Sequence, residues 1–373
     1  MFLAIQEMRH GKWRFMMIGF IIVLISWLVF ILSGLGNGLS TLSAASIKNM
    51  DAEYVVYEKG AGFTFSKSLL SESLLSDLEE QDHIKNAAPF GSANGAILKD
   101  GKSDSEEKTD IALLGVNPGT FLEPKVIEGK QLVDNKPRGV VANISLKDEG
   151  YDLGDKLVLD GSKEELEIIG FVEGETFNHL PALFVTMDKW RNYKYAAPGS
   201  NNGVNDAVNA FVLQGENIDP DTLNKDIKGI ETATKNEAIQ GMPGYTAENG
   251  TIMMMLAFLI VISAFVIAVF FYVLTIQKTN QFGVMKAIGA SNGFIAKAIV
   301  SQVFVLSLIS ILVGIALTYA TAAVLPDAMP FNLDVKLVVI YGIALLLISV
   351  LSSLFSVRKI TKIDPLTALG RVL

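Results

Sequence analysis

The stretch PGYTAE, residues 243–248, sets a phenol and a carboxylate three positions apart, Tyr245 and Glu248, just before a run without a single charge. Both side chains carry oxygen able to ligate a metal or hold a polar group. A carboxylate at the edge of an apolar run raises the free energy unless it is paired, solvated or used. Met253, Met254 and Met255 follow, soft thioethers that line greasy sites or coordinate metals but more often simply pack. An interfacial tyrosine belt with an exposed glutamate competes with any ligand-binding role for the pair. Other chemistry is missing. The histidines His10, His83 and His179 show no H-x-x-H or H-E-x-x-H spacing, and no G-x-S-x-G is present. GAILKDGKS, residues 95–103, has five residues between its glycines where a phosphate loop has four, and a hairpin turn explains it better. The acidic runs at 104–107 and 164–167 read as solvated faces. The chain is expected to be no enzyme, with no catalytic residue, no metal site and no bound cofactor of its own.

The elements that must position Tyr245 and Glu248 follow from hydropathy. The chain has 373 residues, half of them apolar, and no cysteine; its mean hydropathy is +0.39. Windows 15–47, 249–277, 298–326 and 337–357 contain no Asp, Glu, Lys or Arg, and each is long enough for the roughly 20 residues that cross a bilayer. The first follows Arg9, Lys12 and Arg14 but is too long for a signal-peptide core of about 7–15 residues, so it reads as a retained anchor. Gly34, Gly36 and Gly38 are taken to mark its end.

Residues 38–250 carry a net charge of −15 and the remainder +7, which together make the chain total of −8. The basic residues outside the acidic region cluster before the first span, between the second and third, and after the fourth, so both termini and the 278–296 loop are expected in the cytoplasm. An acidic outer region has no reason to bind nucleic acid, and without cysteine it must hold together by its own core. Short β-rich runs recur there, among them YVVYE (54–58), IALLGV (111–116), ELEIIGFV (165–172) and ALFVT (182–186). Helical patterns are read at 68–81 and, more weakly, at 221–240.

The expected fold class is therefore a membrane α-helical protein with four transmembrane (TM) helices and a large extracytoplasmic α+β domain inserted between TM1 and TM2. Its parts are a cytoplasmic N-terminal segment (1–14), TM1 (15–38), the outer domain (39–249), TM2 (250–277) and a cytoplasmic loop (278–296). TM3 (297–325), a short outer loop (326–335), TM4 (336–357) and a cytoplasmic tail (358–373) complete it. Within the 278–296 loop, QKTNQFGVMKAIGASNGFI mixes small, apolar and basic residues as a short interfacial helix would, and small residues let another surface approach closely.

At these residues the chain resembles FtsX/MacB-type ABC transporter permeases. The segment after the second span is similar to their E/Q-x-G-x-x-K-A-I-G-A pattern, and VRKITKIDPLTALG (357–370) to their ending, through Arg358, Asp364, Pro365, Ala368 and Leu369. ISLKDEGYDLGDKLVL (144–159) looks like their outer-domain pattern, with the Gly154-Asp155 turn before a strand. The first span and PGYTAENGT look most like the hemin-exporting HrtB-type permeases and their DevC-like relatives. The resemblance implies a homodimer in the plasma membrane that carries two copies of a separate ABC-type ATPase subunit. That subunit would seat on a coupling helix at Gly283, Lys286, Ala287, Gly289 and Ala290. A hydrophobic or amphiphilic toxic cargo, heme in the first instance, would be expelled from the outer leaflet. Tyr245 and Glu248 are the ligand-binding candidates the resemblance points to, with Met50 and Phe30 as further ones from the first span. Export of an antimicrobial peptide or lipid-linked molecule, and FtsX-like signalling to a cell-wall hydrolase, are the alternatives.

Overall fold

The computed structural model describes residues 12–99, 108–133, 138–162, 164–326 and 329–361. His10, the acidic run 104–107 and the tail residues Asp364, Pro365, Ala368 and Leu369 lie outside the described residues. Helices form at Lys12–Asn49 (α1), Leu74–Glu79 (α2), Met187–Lys194 (α3), Pro220–Asp226 (α4), Lys235–Gln240 (α5), Tyr245–Gln277 (α6), Thr279–Ala287 (α7), Asn292–Ala322 (α8) and Val335–Thr361 (α9). The chain divides into two compact units, Leu39–Asn249 and a helical unit made of the residues up to Gly38 and from Gly250 onward.

Four helices, α1, α6, α8 and α9, are long and apolar enough to cross a membrane. In the helical unit they are apolar on every side. One side of each buries Phe30, Phe271, Val303 or Leu345 in a shared core, while Phe258, Phe265, Leu312 and Phe355 stand exposed. A helix apolar all round is stable only where its surroundings are apolar too. Small residues set the close approaches. Gly314 of α8 meets Ser26 of α1, and Gly19 leaves room for Leu306 and Ser310.

The first helix does not stop at its glycines. It runs on to Asn49, and those glycines are sites of close approach instead. A Cβ on Gly34 would fall 2.6 Å from the Phe331 ring, one on Gly36 would strike Ile252, and one on Gly38 would strike the Pro330 carbonyl. Packing uses their missing side chains, so the helix tolerates their lower propensity.

In the other unit the strands are Tyr54–Glu58 (β1), Leu70–Ser71 (β2), Ile84–Lys99 (β3), Thr109–Val116 (β4), Val126–Gly129 (β5), Gly139–Asn143 (β6), Lys156–Leu159 (β7), Glu165–Val172 (β8), Thr176–Phe177 (β9), Leu180–Thr186 (β10), Ala207–Val208 (β11), Ala210–Gly215 (β12) and Ile230–Thr234 (β13). Eleven of them form one mixed sheet in the order β13-β1-β12-β3-β4-β10-β6-β8-β5, with β7 and β9 off that path. The pairs β4–β10 and β6–β8 are parallel and the others antiparallel. Central strands are buried on both faces, as in β4 and β6. Trp190 of α3 is fully buried against β3 and β4, whose Gly91 and Gly115 leave space for its ring.

Two helical expectations shorten. Within 68–81 only Leu74–Glu79 is helical, because Leu70 and Ser71 pair with Val208 and Ala207. The serine hydroxyls there bond to each other and to local backbone, competing with a helix. Within 221–240, Gly229 at φ +88° ends α4, and the β-branched IETAT joins β1 as β13 before a capping box at Thr234 and Glu237 opens α5.

Candidate functional site

Tyr245 and Glu248 sit in the first turn of α6, where their spacing puts them on one side of the helix. Gly244, at φ +80°, makes the left-handed step from α5 into α6 that starts this turn. A carboxylate in a first turn is also favoured by the helix dipole.

Their partners come from the end of α1. Ser40 donates to the Tyr245 hydroxyl at 2.9 Å, and Lys48 donates to the Ser40 hydroxyl at 2.8 Å while lying 5.7 Å from the Tyr245 ring centroid. Ser43, one turn on, donates to Glu248 Oε2 at 3.3 Å. A third element closes the cluster. His179 Nε2 lies 3.0 Å from Ser43 Oγ and 3.2 Å from Glu248 Oε1.

The fold builds this cluster through a break. Ala44 has φ −144° and ψ 23°, outside helical geometry, so α1 kinks there. Each carbonyl of the preceding turn then receives a donor other than the usual helix amide, three of them from outside the helix and one from Lys48 beyond the kink. Lys48 Nζ reaches Ser40 O at 3.0 Å and Thr176 Oγ1 reaches Thr41 O at 3.1 Å. The His179 amide reaches Leu42 O at 3.1 Å and the Asn178 amide reaches Ser43 O at 2.9 Å. Asn178 and His179 are the two central residues of the β9–β10 hairpin, both at positive φ, 51° and 63°. That is the geometry of a tight primed turn, readily adopted by asparagine and less so by histidine. The hairpin tip therefore clasps the kink with its backbone and presents the imidazole to Glu248.

Below the kink lies a second carboxylate. Glu175 is 8% exposed; its side chain accepts from Asn49 at 3.0 Å and its carbonyl accepts from Asn143. Burial raises its pKa, opposed by the hydrogen bond from Asn49. With the folded value above the unfolded one, the stability linked to Glu175 is present in acid and lost as pH rises through the folded pKa. Glu175→Gln should therefore melt like wild type in acid and progressively above it toward neutral pH. Thermal unfolding of the purified protein across that range checks this, and a constant gap would contradict it.

The other sequence candidates lie elsewhere. Phe30 is fully buried in the core of the helical unit. Met50 packs into the sheet domain's core near Ala44 and Ile47, the core against which Tyr245 also rests. Sequence reasoning missed Ser40, Ser43, Lys48 and His179. The signal for His179 was FNHLP, an Asn-led two-residue turn between short β-prone runs.

In the basic segment, α7 buries Phe282 and Gly283, while Ala287, Gly289 and, at 81%, Ile288 are exposed. Gly289 has φ +98° and open space around its Cα, so any side chain there would strain the backbone without meeting a neighbour. Lys286 precedes it, its carbonyl accepting from the Gly289 amide at 3.0 Å, and the Ala290 amide donates to Met285 O at 2.9 Å. At the root of the segment Lys278 is buried, with Nζ 3.3 Å from Gln302 Oε1 and 5.0 Å from the Phe15 ring centroid.

Four spanning helices with a large mixed-sheet domain inserted between the first and second define a multi-pass membrane protein with an extracytoplasmic domain. Residues 16–230 match the MacB-like periplasmic core domain and residues 253–365 the FtsX-like permease C-terminal region. The chain belongs to the FtsX/MacB-type ABC transporter permease family. It is similar to permease proteins named HrtB, assigned by name to a hemin transport system, from Staphylococcus epidermidis (26% identity) and Staphylococcus haemolyticus (27%), with 99% of both chains covered in each case. An uncharacterized ABC transporter permease of Mycobacterium tuberculosis is 23% identical over 99% of both chains. The crystal structure of the periplasmic region of MacB from Actinobacillus actinomycetemcomitans overlaps 51% of this chain and 92% of its own, at 17% identity and a TM-score of 0.37.

Proposed function

We propose that this chain is the permease subunit of an ABC efflux transporter that exports hemin, or a closely similar amphiphile, from the outer leaflet. Energy comes from a separate ATPase subunit, two copies on a permease homodimer. Both termini and the 278–296 loop face the cytoplasm, a reading the charge asymmetry supports, and α7 with the turn at Ile288–Ala290 is the seat of the ATPase. Ser40, Ser43, Lys48, His179, Tyr245 and Glu248 receive the cargo.

The cluster is the observation that carries this reading. It gathers a phenol, a carboxylate and an imidazole, all of them iron-ligand types, around an ammonium suited to a carboxylate of the cargo. It stands at the start of the second spanning helix, where an amphiphile leaving the bilayer would meet it. Similarity to relatives named for hemin transport supports the cargo.

The test is a hemin titration of the purified chain in detergent, read as a Soret shift. Tyr245→Phe and Glu248→Ala are each expected to weaken the response by about tenfold, the loss of one well-placed ligand or charged hydrogen bond. Unchanged spectra in both would remove the cluster from the cargo path.

A further inference from the structure

The sheet domain holds a cavity of about 520 Å³ beside the His179 turn, lined among others by Phe65, Phe177, Met242, Asn94, Lys194 and His179 itself. That size falls within the roughly 300–1,000 Å³ of small-molecule sites. Its lining is divided. Phe65 and Phe177 belong to a cluster of aromatic rings, their centroids 5.7 Å apart, with Phe90 and Tyr57 behind them at 5.3 and 5.0 Å from Phe65. Opposite in character stands Lys194, the last residue of α3. It is half-buried, and its ammonium has neither a salt bridge nor a hydrogen bond among the described residues.

The charged residues of the adjoining cavity are paired, unlike Lys194. A neighbouring cavity of about 400 Å³ shares the wall formed by Ala93, Asn94 and Lys194. There Lys189 is paired with Glu164, and Asp160 is paired with Lys108. A half-enclosed cation with no salt-bridged anion lines the same cavity as two phenyl rings, a pairing suited to an apolar aromatic molecule bearing a carboxylate. The rings supply apolar contact and the ammonium takes the acid. His179 joins this cavity to the Tyr245–Glu248 cluster, since it lines the one and is hydrogen-bonded in the other.

We propose that this cavity is a second, extracytoplasmic binding site for a planar aromatic carboxylate, accepting cargo handed on past His179. The identity of the cargo rests on the export reading above; the chemistry of the site rests on its own residues.

Metal-free protoporphyrin IX is the probe, because without iron it cannot be ligated by Tyr245, Glu248 or His179. The full-length protein in lipid nanodiscs is titrated and read by porphyrin fluorescence, with empty nanodiscs subtracted. The dicarboxylate should bind at least about tenfold more tightly than its dimethyl ester, the loss expected when a charge-assisted contact is removed. Lys194→Glu should reproduce that loss and Lys194→Arg should not. Asn94→Trp, at an exposed position of β3, should block the cavity. Equal affinity for acid and ester, a comparison made on the wild-type protein, overturns the proposal, as does undiminished binding in Lys194→Glu. A normal hemin Soret response beside such a result would leave the export reading standing and sink only this cavity. Porphyrin binding that depends on Lys194, with a hemin response unchanged in Tyr245→Phe and Glu248→Ala, would sink the cluster and keep the cavity.

Discussion

Ile288→Asp should abolish stimulation of the partner ATPase and, with it, the proposed hemin export. Ile288 is 81% exposed at the end of α7, outside the apolar spans, with Val284 and Phe294 also exposed nearby in the chain. An exposed aliphatic side chain at the end of a short helix has a natural use as an anchor in a partner's pocket, and removing such an anchor costs about 2–4 kcal/mol of binding. That corresponds to a fall in affinity of about 30-fold or more. Folding should be untouched, since exposed substitutions of this kind move stability by only about 0.5 kcal/mol. ATP hydrolysis by the reconstituted complex is the measurement, and full stimulation in Ile288→Asp would remove the segment from the interface. Gly289 is the poorer site for this test. At φ +98° any replacement alters the backbone path as well as the surface.

His179 should show the second large effect, and two substitutions separate its roles. His179→Asn suits the left-handed turn at φ 63° and leaves the backbone clasp on Leu42 intact. It removes the imidazole from Glu248 and Ser43, so it is expected to keep the melting temperature while weakening the hemin response by about tenfold. His179→Val forces a β-branched residue into that turn, and an additional loss of about 1–3 kcal/mol of stability should appear. Equal melting temperatures for the two variants would mean that the hairpin does not hold the kink. An Asn variant with wild-type hemin spectra would remove the imidazole from the site.

These two residues also mark how far the sequence could be read. The four spans and the inserted domain were readable because absence of charge over 20 or more residues is a strong, local signal. Family membership was readable in the K-A-I-G-A and D-P-x-x-A-L segments. The kink was not: Ala44 is the best of helix formers, and its departure from helical geometry is accompanied by donors from Thr176, Asn178 and His179, more than 130 residues away along the chain. For the same reason Tyr245 and Glu248 could be picked out as chemically able, while Ser40, Ser43 and Lys48 read as an ordinary helix end. Gly34, Gly36 and Gly38 were misread as a terminus because helix-ending and close-packing glycines look alike in one dimension. The segment 221–240 was misread as one polar helix because IETAT is short, and its strand character comes from pairing with β1.

Hemin-dependent ATP hydrolysis by the permease and its ATPase partner, reconstituted together in liposomes, bears most directly on the proposed export. Hemin should accelerate hydrolysis in the wild-type complex and fail to do so when Tyr245→Phe and Glu248→Ala are combined, with basal hydrolysis retained. Hydrolysis indifferent to hemin in the wild-type complex, or equally stimulated in the double variant, would contradict it.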